Sequence, residues 1–144
     1  MGAWGNGPFE NDTALDLWVS LRRSGDTTLL SRVLHDALAR QDDYFDVVDA
    51  EAVIAAAELI VAAFGQKGRS VPSDAVAWAM ERQRELDVEV LTLARLAVHR
   101  VIASAPQLME SWFSRVSAEK WLAMVEDLGG RLERARPQSE TADT

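Results

Sequence analysis

A long alanine-rich run near the middle of the chain limits the folds open to it. Residues 50–65 read AEAVIAAAELIVAAFG, in which the larger apolar side chains recur at helical spacing and alanines fill most other positions. Alanine lets neighbouring segments approach a helix on more than one side. The run is too short to span a bilayer, and it carries Glu51 and Glu58. We therefore expect it to form a central helix surrounded by other elements.

Amphipathic patterns before and after this run predict the surrounding helices. The first is expected over about 12–23, with Leu15, Trp18 and Val19 on its inner face and Leu21 as a further candidate for it. No segment alternates apolar and polar residues for long enough to form a convincing strand. The sequence therefore predicts an all-α fold, a single-domain helical bundle or orthogonal array of about six helices.

Glycine and proline positions predict where these helices end. Gly25 and Gly65 are expected to end helices, because glycine readily adopts the left-handed conformation of a helix C-terminus. Pro106 is expected to break the helix that precedes it, since proline removes a backbone donor. The pair Gly129-Gly130 is expected to weaken the last helix.

The length of the chain predicts one domain. We expect residues 1–136 to form it, because a chain of 144 residues has the size of an ordinary single domain. Within it, residues 1–11 are expected to form a Gly-rich arm packed on the bundle. From Pro137 onward the side chains are small and polar, so residues 137–144 are predicted to form a disordered tail.

The composition indicates which classes of binding partner are excluded and in which cellular compartment the protein is expected. The chain has 15 Lys and Arg residues and 23 Asp and Glu residues, which gives a net charge of -8. Proteins that bind nucleic acid through a basic surface carry charge of the opposite sign. The chain has no cysteine, so disulfides, thiolate metal sites and cysteine nucleophiles are excluded. We recognise no signal peptide and no membrane-spanning run. We therefore expect a cytoplasmic protein that binds neither nucleic acid nor a membrane.

The opening of the chain, MGAWGNGPFENDTALD, carries a resemblance. It is similar to an uncharacterised bacterial family, one of the numbered domains of unknown function, whose members begin M-G-x-W-G-x-G-x-F-[ED]-N-D-x-A-x-D. The alanine-rich helix with its embedded glutamate and the segment WLAMVEDL, residues 121–128, also resemble that family. The resemblance implies a single helical domain and brings no catalytic or binding residues with it.

Four positions of that motif are candidates for a functional role: Trp4, Phe9, Asn11 and Asp12. A glycine-rich segment before a helix can cradle a phosphate, but residues 1–20 contain several carboxylates and no Lys or Arg. We prefer the interpretation that Trp4 and Phe9 pack under the bundle, while Asn11 or Asp12 caps the first helix.

The alanine-rich helix gives Glu58 little polar surrounding, so its carboxylate needs a partner or a shifted pKa. Glu51 lies two turns earlier on the same side, and Asp16 could approach from the first helix. Three converging carboxylates could bind Mg²⁺ or Mn²⁺. We prefer the interpretation that Glu58 forms an ion pair with an arginine such as Arg95 or Arg100, or hydrogen bonds to the Gly-rich arm. No other cofactor is predicted.

Two functions from different classes remain. We prefer a non-enzymatic protein-interaction domain that presents an acidic surface to a partner, as immunity or antitoxin-type proteins do. Trp112 and Phe113, near an expected helix end, are its candidate exposed aromatics. The alternative is a metal-dependent hydrolase of small phosphorylated substrates, with Asp16, Glu51 and Glu58 as ligands of Mg²⁺ or Mn²⁺.

Overall fold

A computed structural model of the protein describes residues 7–112 and 115–136, and every regular element within these ranges is helical. The α-helices are α1 (Asp12–Ser24), α2 (Thr28–Ala39), α3 (Val47–Ala63), α4 (Ser73–Glu81), α5 (Val88–Trp112) and α6 (Arg115–Arg134). Two short 3₁₀-helices, Asp42–Tyr44 and Gln83–Glu85, precede α3 and α5. The prediction of an all-α single-domain bundle of about six helices is confirmed. The predicted tail at 137–144 lies outside the described residues.

The alanine-rich helix α3 is the element around which the others pack. Every residue from Val53 to Ala63 is buried, and α3 contacts α1, α2, α4, α5 and α6. The small alanine side chains allow close packing on several sides at once. Apolar side chains from the other helices complete one core that extends from Phe9 to Ala135. Within the described ranges, no helix combines the length and apolarity that crossing a bilayer requires.

Local hydrogen bonds and glycine conformations fix the ends of the helices. The Asp46 side chain accepts hydrogen bonds from N–H groups in the first turn of α3. After α3, Gly65 has a φ of 83°, and the N–H of Gln66 donates to the Val61 carbonyl at 2.9 Å. Gly25 has a φ of 77° after α1. Both predicted glycine stops are confirmed.

Helix α5 is continuous where the sequence predicted a break. It runs from Val88 to Trp112 and includes Pro106. A proline costs a helix interior about 3 kcal/mol because it removes one hydrogen bond and crowds the preceding turn. Ala105 and Leu108, on either side of the exposed Pro106, are buried in the core. Their packing holds both halves in one helix and outweighs the low helix propensity of proline.

Helix α6 also continues through a predicted weak point. It includes Gly129 and Gly130 and ends at Arg134. A Cβ at Gly129 would lie 3.7 Å from Ile102 and 3.8 Å from Val98, which is an ordinary contact distance. Gly129 therefore lies where α6 packs on α5, and that packing offsets its low helix propensity.

The inner face of α1 differs from the predicted one. Its buried side chains lie at i, i+3, i+4 and i+7: Ala14, Leu17, Trp18 and Leu21. The prediction was right for Trp18 and Leu21 and wrong for Leu15 and Val19, which are 36% and 39% exposed. The buried face of α1 begins at the small side chain of Ala14. Leu15 and Val19 therefore lie outside that face and are exposed to solvent.

Alanine at two of the glycines is expected to have opposite effects. Gly25→Ala should lower the free energy of unfolding by about 1 kcal/mol, because a positive φ is strained for a residue with a Cβ. Gly129→Ala should raise it by about 0.5–1 kcal/mol, because alanine favours a helix interior. Urea denaturation of the two variants measures both changes. A stabilised Gly25 variant or a destabilised Gly129 variant would contradict the described backbone.

Candidate functional site

The candidate site is built on a buried ion pair between α3 and α6. Arg131 Nη1 donates to Glu58 Oε1 at 2.7 Å, and Nη2 donates to Oε2 at 2.9 Å. The side chain of Glu58 is 1% exposed and that of Arg131 is 7% exposed. Two parallel charge-assisted hydrogen bonds neutralise the carboxylate and fix the orientation of both planar groups. The pair thus joins two residues that lie 73 positions apart in the chain.

Arg131 also binds two groups outside α3. Its Nε donates to Asp127 Oδ2 at 2.8 Å, and its Nη1 donates to the carbonyl of Gln66 at 3.2 Å. Burial alone would lower the pKa of Arg131, but the hydrogen bonds and charges of Glu58 and Asp127 outweigh burial and raise the pKa. The guanidinium therefore stays charged and connects α3, α6 and the loop after α3.

The loop between α3 and α4 lies directly against this pair at Gly68. A Cβ there would be 2.8 Å from Glu58 Oε1 and 3.1 Å from Arg131 Nη1. A residue without a Cβ allows the backbone to approach this closely. The glycine at this position is therefore explained by the space that the ion pair occupies.

A cavity of about 450 Å³ opens beside the ion pair. Its walls come from the N-terminal segment, the α3–α4 loop and α6, and include Gly7, Pro8, Glu10, Arg69, Ser70, Met124 and Asp127. The N–H of Gly7 donates to Glu10 Oε1 at 3.0 Å, which closes a turn in the N-terminal wall. Within the part of the chain that the structure describes, Arg69 has no hydrogen-bond or ion-pair partner.

Glu51 lies in a different buried contact, between α1 and α3. Thr13 Oγ1 donates to Glu51 Oε1 at 3.0 Å. Burial raises the pKa of Glu51; the hydrogen bond from Thr13 partly opposes this effect, and the charges of Asp12 and Asp46 raise the pKa further. The folded protein therefore favours the protonated form of Glu51 more than an exposed glutamate would.

The structure does not bring Asp16, Glu51 and Glu58 together as metal ligands. Asp16 is exposed on α1, whereas Glu51 and Glu58 contact Thr13 and Arg131. In residues 7–112 and 115–136, no group of three or more His, Asp or Glu is placed to hold a metal ion. The alternative of converging carboxylates is wrong because the two glutamates of α3 face different neighbours, α1 and α6.

The expected ion pair of Glu58 with an arginine is present, but the arginine is Arg131 and neither Arg95 nor Arg100. Arg95 donates to backbone carbonyls at and just after the end of α6, and Arg100 donates to carbonyls at the end of α2 and to a carboxylate just after it. Arg131 was missed, although it lies three residues after the buried Leu128 and thus at the edge of the apolar stripe of α6. This position next to the apolar face of α6 is the sequence feature that could have identified Arg131 as a partner for Glu58.

Two candidate positions of the N-terminal motif, Phe9 and Asn11, have structural roles. Phe9 is buried in the core. Asn11 Oδ1 accepts a backbone hydrogen bond at 2.8 Å and is the N-cap of α1, as predicted. Asp12 is exposed in the first turn of α1. Outside the described residues lie Trp4, Phe113 and the side chain of Trp112.

Glu51 is expected to make the stability of the protein depend on pH. Because its pKa is raised on folding, the folded state holds the proton more tightly than the unfolded state. The free energy of unfolding should therefore fall as pH rises from the ordinary glutamate pKa through the raised value. Glu51→Gln removes this loss and keeps an acceptor for Thr13. Relative to wild type, the variant should gain stability as the pH rises above the ordinary glutamate pKa of about 4.3.

Urea denaturation at several pH values measures this difference in unfolding free energy. Asp16→Asn is the control, because Asp16 is an exposed carboxylate on α1. The assignment fails if the Glu51→Gln difference does not change with pH, or if the control shows the same change.

The family match covers most of these elements. No curated protein and no solved structure matches the chain. Residues 2–124 match the family described as Domain of unknown function (DUF4259), a span that includes Glu58 and ends before Arg131. The chain therefore belongs to the DUF4259 family, a numbered domain of unknown function.

Proposed function

We propose that this protein is bacterial and acts in the cytoplasm as a non-enzymatic interaction domain, which binds a more basic protein through an acidic helix surface. In this respect it would resemble small immunity and antitoxin-type proteins, whose binding depends on electrostatic complementarity. The observation that carries the proposal is the outer face of α1, where apolar side chains are exposed among carboxylates.

This α1 surface comprises Asp12, Leu15, Asp16 and Val19. Leu15 and Val19 are 36% and 39% exposed and lie one turn apart, so they form a short apolar strip. Asp12 and Asp16 are exposed on the same helix, also one turn apart. An apolar centre with a polar rim is the usual composition of a protein–protein interface.

The start of α3 adds to the acidic character of this region. Val48 is 53% exposed, and Asp46 is exposed beside it. The hydrogen bond between Thr13 and Glu51 joins the starts of the two helices. The charges of Asp12 and Asp46 both act on Glu51, so both lie near it. A basic partner would therefore meet carboxylates from α1 and α3 together.

The net charge supports a partner of the opposite sign. At -8, the chain attracts basic proteins over a distance. Complementary charges mainly increase the rate of association and the specificity, and salt screens them over roughly 8 Å at physiological ionic strength. Binding through this surface should therefore weaken as salt is added.

The alternative of a metal-dependent hydrolase has less support from the geometry. Both oxygens of Glu58 accept hydrogen bonds from Arg131, and Glu51 Oε1 accepts one from Thr13. These carboxylates are thus engaged in contacts between elements of the core. Mg²⁺ or Mn²⁺ would have to displace those contacts in order to bind.

A change of the α1 surface tests the proposal. Tagged wild type, Leu15→Ser/Asp16→Lys and the control Leu96→Ser/Glu89→Lys are incubated with a lysate of the native organism, and retained proteins are identified by mass spectrometry. The control makes matching changes on α5, again replacing one exposed leucine by Ser and one exposed carboxylate by Lys; Leu96 is 54% exposed and Glu89 is exposed. We expect wild type and control to retain a basic protein, and the α1 variant to retain at least about tenfold less.

Added salt provides the second readout. The retained protein should elute from wild type as the ionic strength rises. Equal retention by the two variants would contradict the proposal, as would a partner that resists salt or the absence of any protein specific to wild type.

A further inference from the structure

We propose that the cavity beside the Glu58–Arg131 pair binds a small zwitterion, a molecule with an ammonium and a carboxylate such as a free amino acid or a dipeptide. Arg69 would hold the carboxylate, and Asp127 and Glu10 would hold the ammonium. The cavity contains no residue of the α1 surface, so this inference does not depend on the proposed protein partner.

The size of the cavity and the ion pair in its lining are suited to a small polar ligand. Its volume of about 450 Å³ lies in the range of roughly 300–1,000 Å³ that small-molecule sites occupy. Glu58 and Arg131 form part of the lining and are bound to each other. They present a rigid pair of balanced charge, so a ligand must find its charged partners on the walls.

Arg69 supplies the positive wall. It follows Gly68, whose backbone rests against the ion pair, and it lines the cavity. No described residue forms a hydrogen bond or an ion pair with it. A guanidinium offers two parallel donors that match a carboxylate, and Ser70 beside it adds a hydroxyl.

Asp127 and Glu10 supply the negative wall. Asp127 uses Oδ2 to accept from Arg131, and its side chain is 64% exposed. Glu10 uses Oε1 to accept from the N–H of Gly7. Within the described ranges, the second oxygen of each carboxylate has no donor and can accept from an ammonium.

The balance of these charges selects the class of ligand. A phosphate at Arg69 would face two carboxylates, and a simple cation would face the arginine. A zwitterion matches both signs at once. Pro8 and Met124 add apolar surface on which a ligand side chain can pack.

Isothermal titration calorimetry with L-alanine and L-alanyl-L-alanine tests the proposal. The matched variants are Arg69→Gln and Lys67→Gln, which each remove one positive charge from an exposed position of the same loop. Of these two residues, Arg69 lines the cavity and Lys67 does not. We expect saturable binding of at least one probe to wild type and to Lys67→Gln, and binding at least about tenfold weaker to Arg69→Gln.

Derivatives of the bound probe test each charge of the ligand. The N-acetyl derivative lacks the ammonium and the amide lacks the carboxylate, so each should bind at least about tenfold more weakly. Equal Tm values show that the variants are folded. The proposal is overturned if neither probe binds wild type saturably, if Arg69→Gln binds normally, if Lys67→Gln is weakened equally, or if either derivative binds as well as the parent.

Discussion

A carboxylate at the centre of an alanine-rich helix needs a partner of opposite charge within the same core. Glu58 is 1% exposed, and an unpaired buried ion costs several kcal/mol. Since a whole domain is stable by about 5–15 kcal/mol, that cost would remove much of its stability. Arg131 meets the requirement with two parallel hydrogen bonds. The pair therefore sets how α6 lies against α3.

The surroundings of the cavity follow from this pair. The carbonyl of Gln66 accepts a hydrogen bond from Arg131, and Gly68 lies where a Cβ would collide with Glu58. These two contacts hold the α3–α4 loop against the core. Arg69 comes next in the chain and lines the cavity. A structural requirement of the core therefore positions at the surface a cation that has no partner among the described residues.

Short-range features were predictable from the sequence, whereas contacts between helices were not. The alanine-rich run, the Asn11 cap and the turns at Gly25 and Gly65 depend on neighbouring residues, and the structure confirms them. Pro106 was misjudged because packing of the flanking residues outweighs the intrinsic propensity of proline. On α1, the predicted and the observed inner faces share Trp18 and Leu21, whereas the small Ala14 belongs only to the observed face. The exposed apolar strip of the candidate interface became visible only through that correction.

The ion pair is a second example of a contact between helices that the sequence does not predict. Helical spacing predicts that Glu58 is buried, but it does not specify which arginine of a distant helix reaches it. A double-mutant cycle with Glu58→Leu, Arg131→Met and the double variant tests the pair most directly by urea denaturation. Each single change should lower the free energy of unfolding by about 3–5 kcal/mol, and the double variant should be closer to wild type than either. Additive losses, as expected for Glu58→Leu with Arg95→Met, would contradict the account.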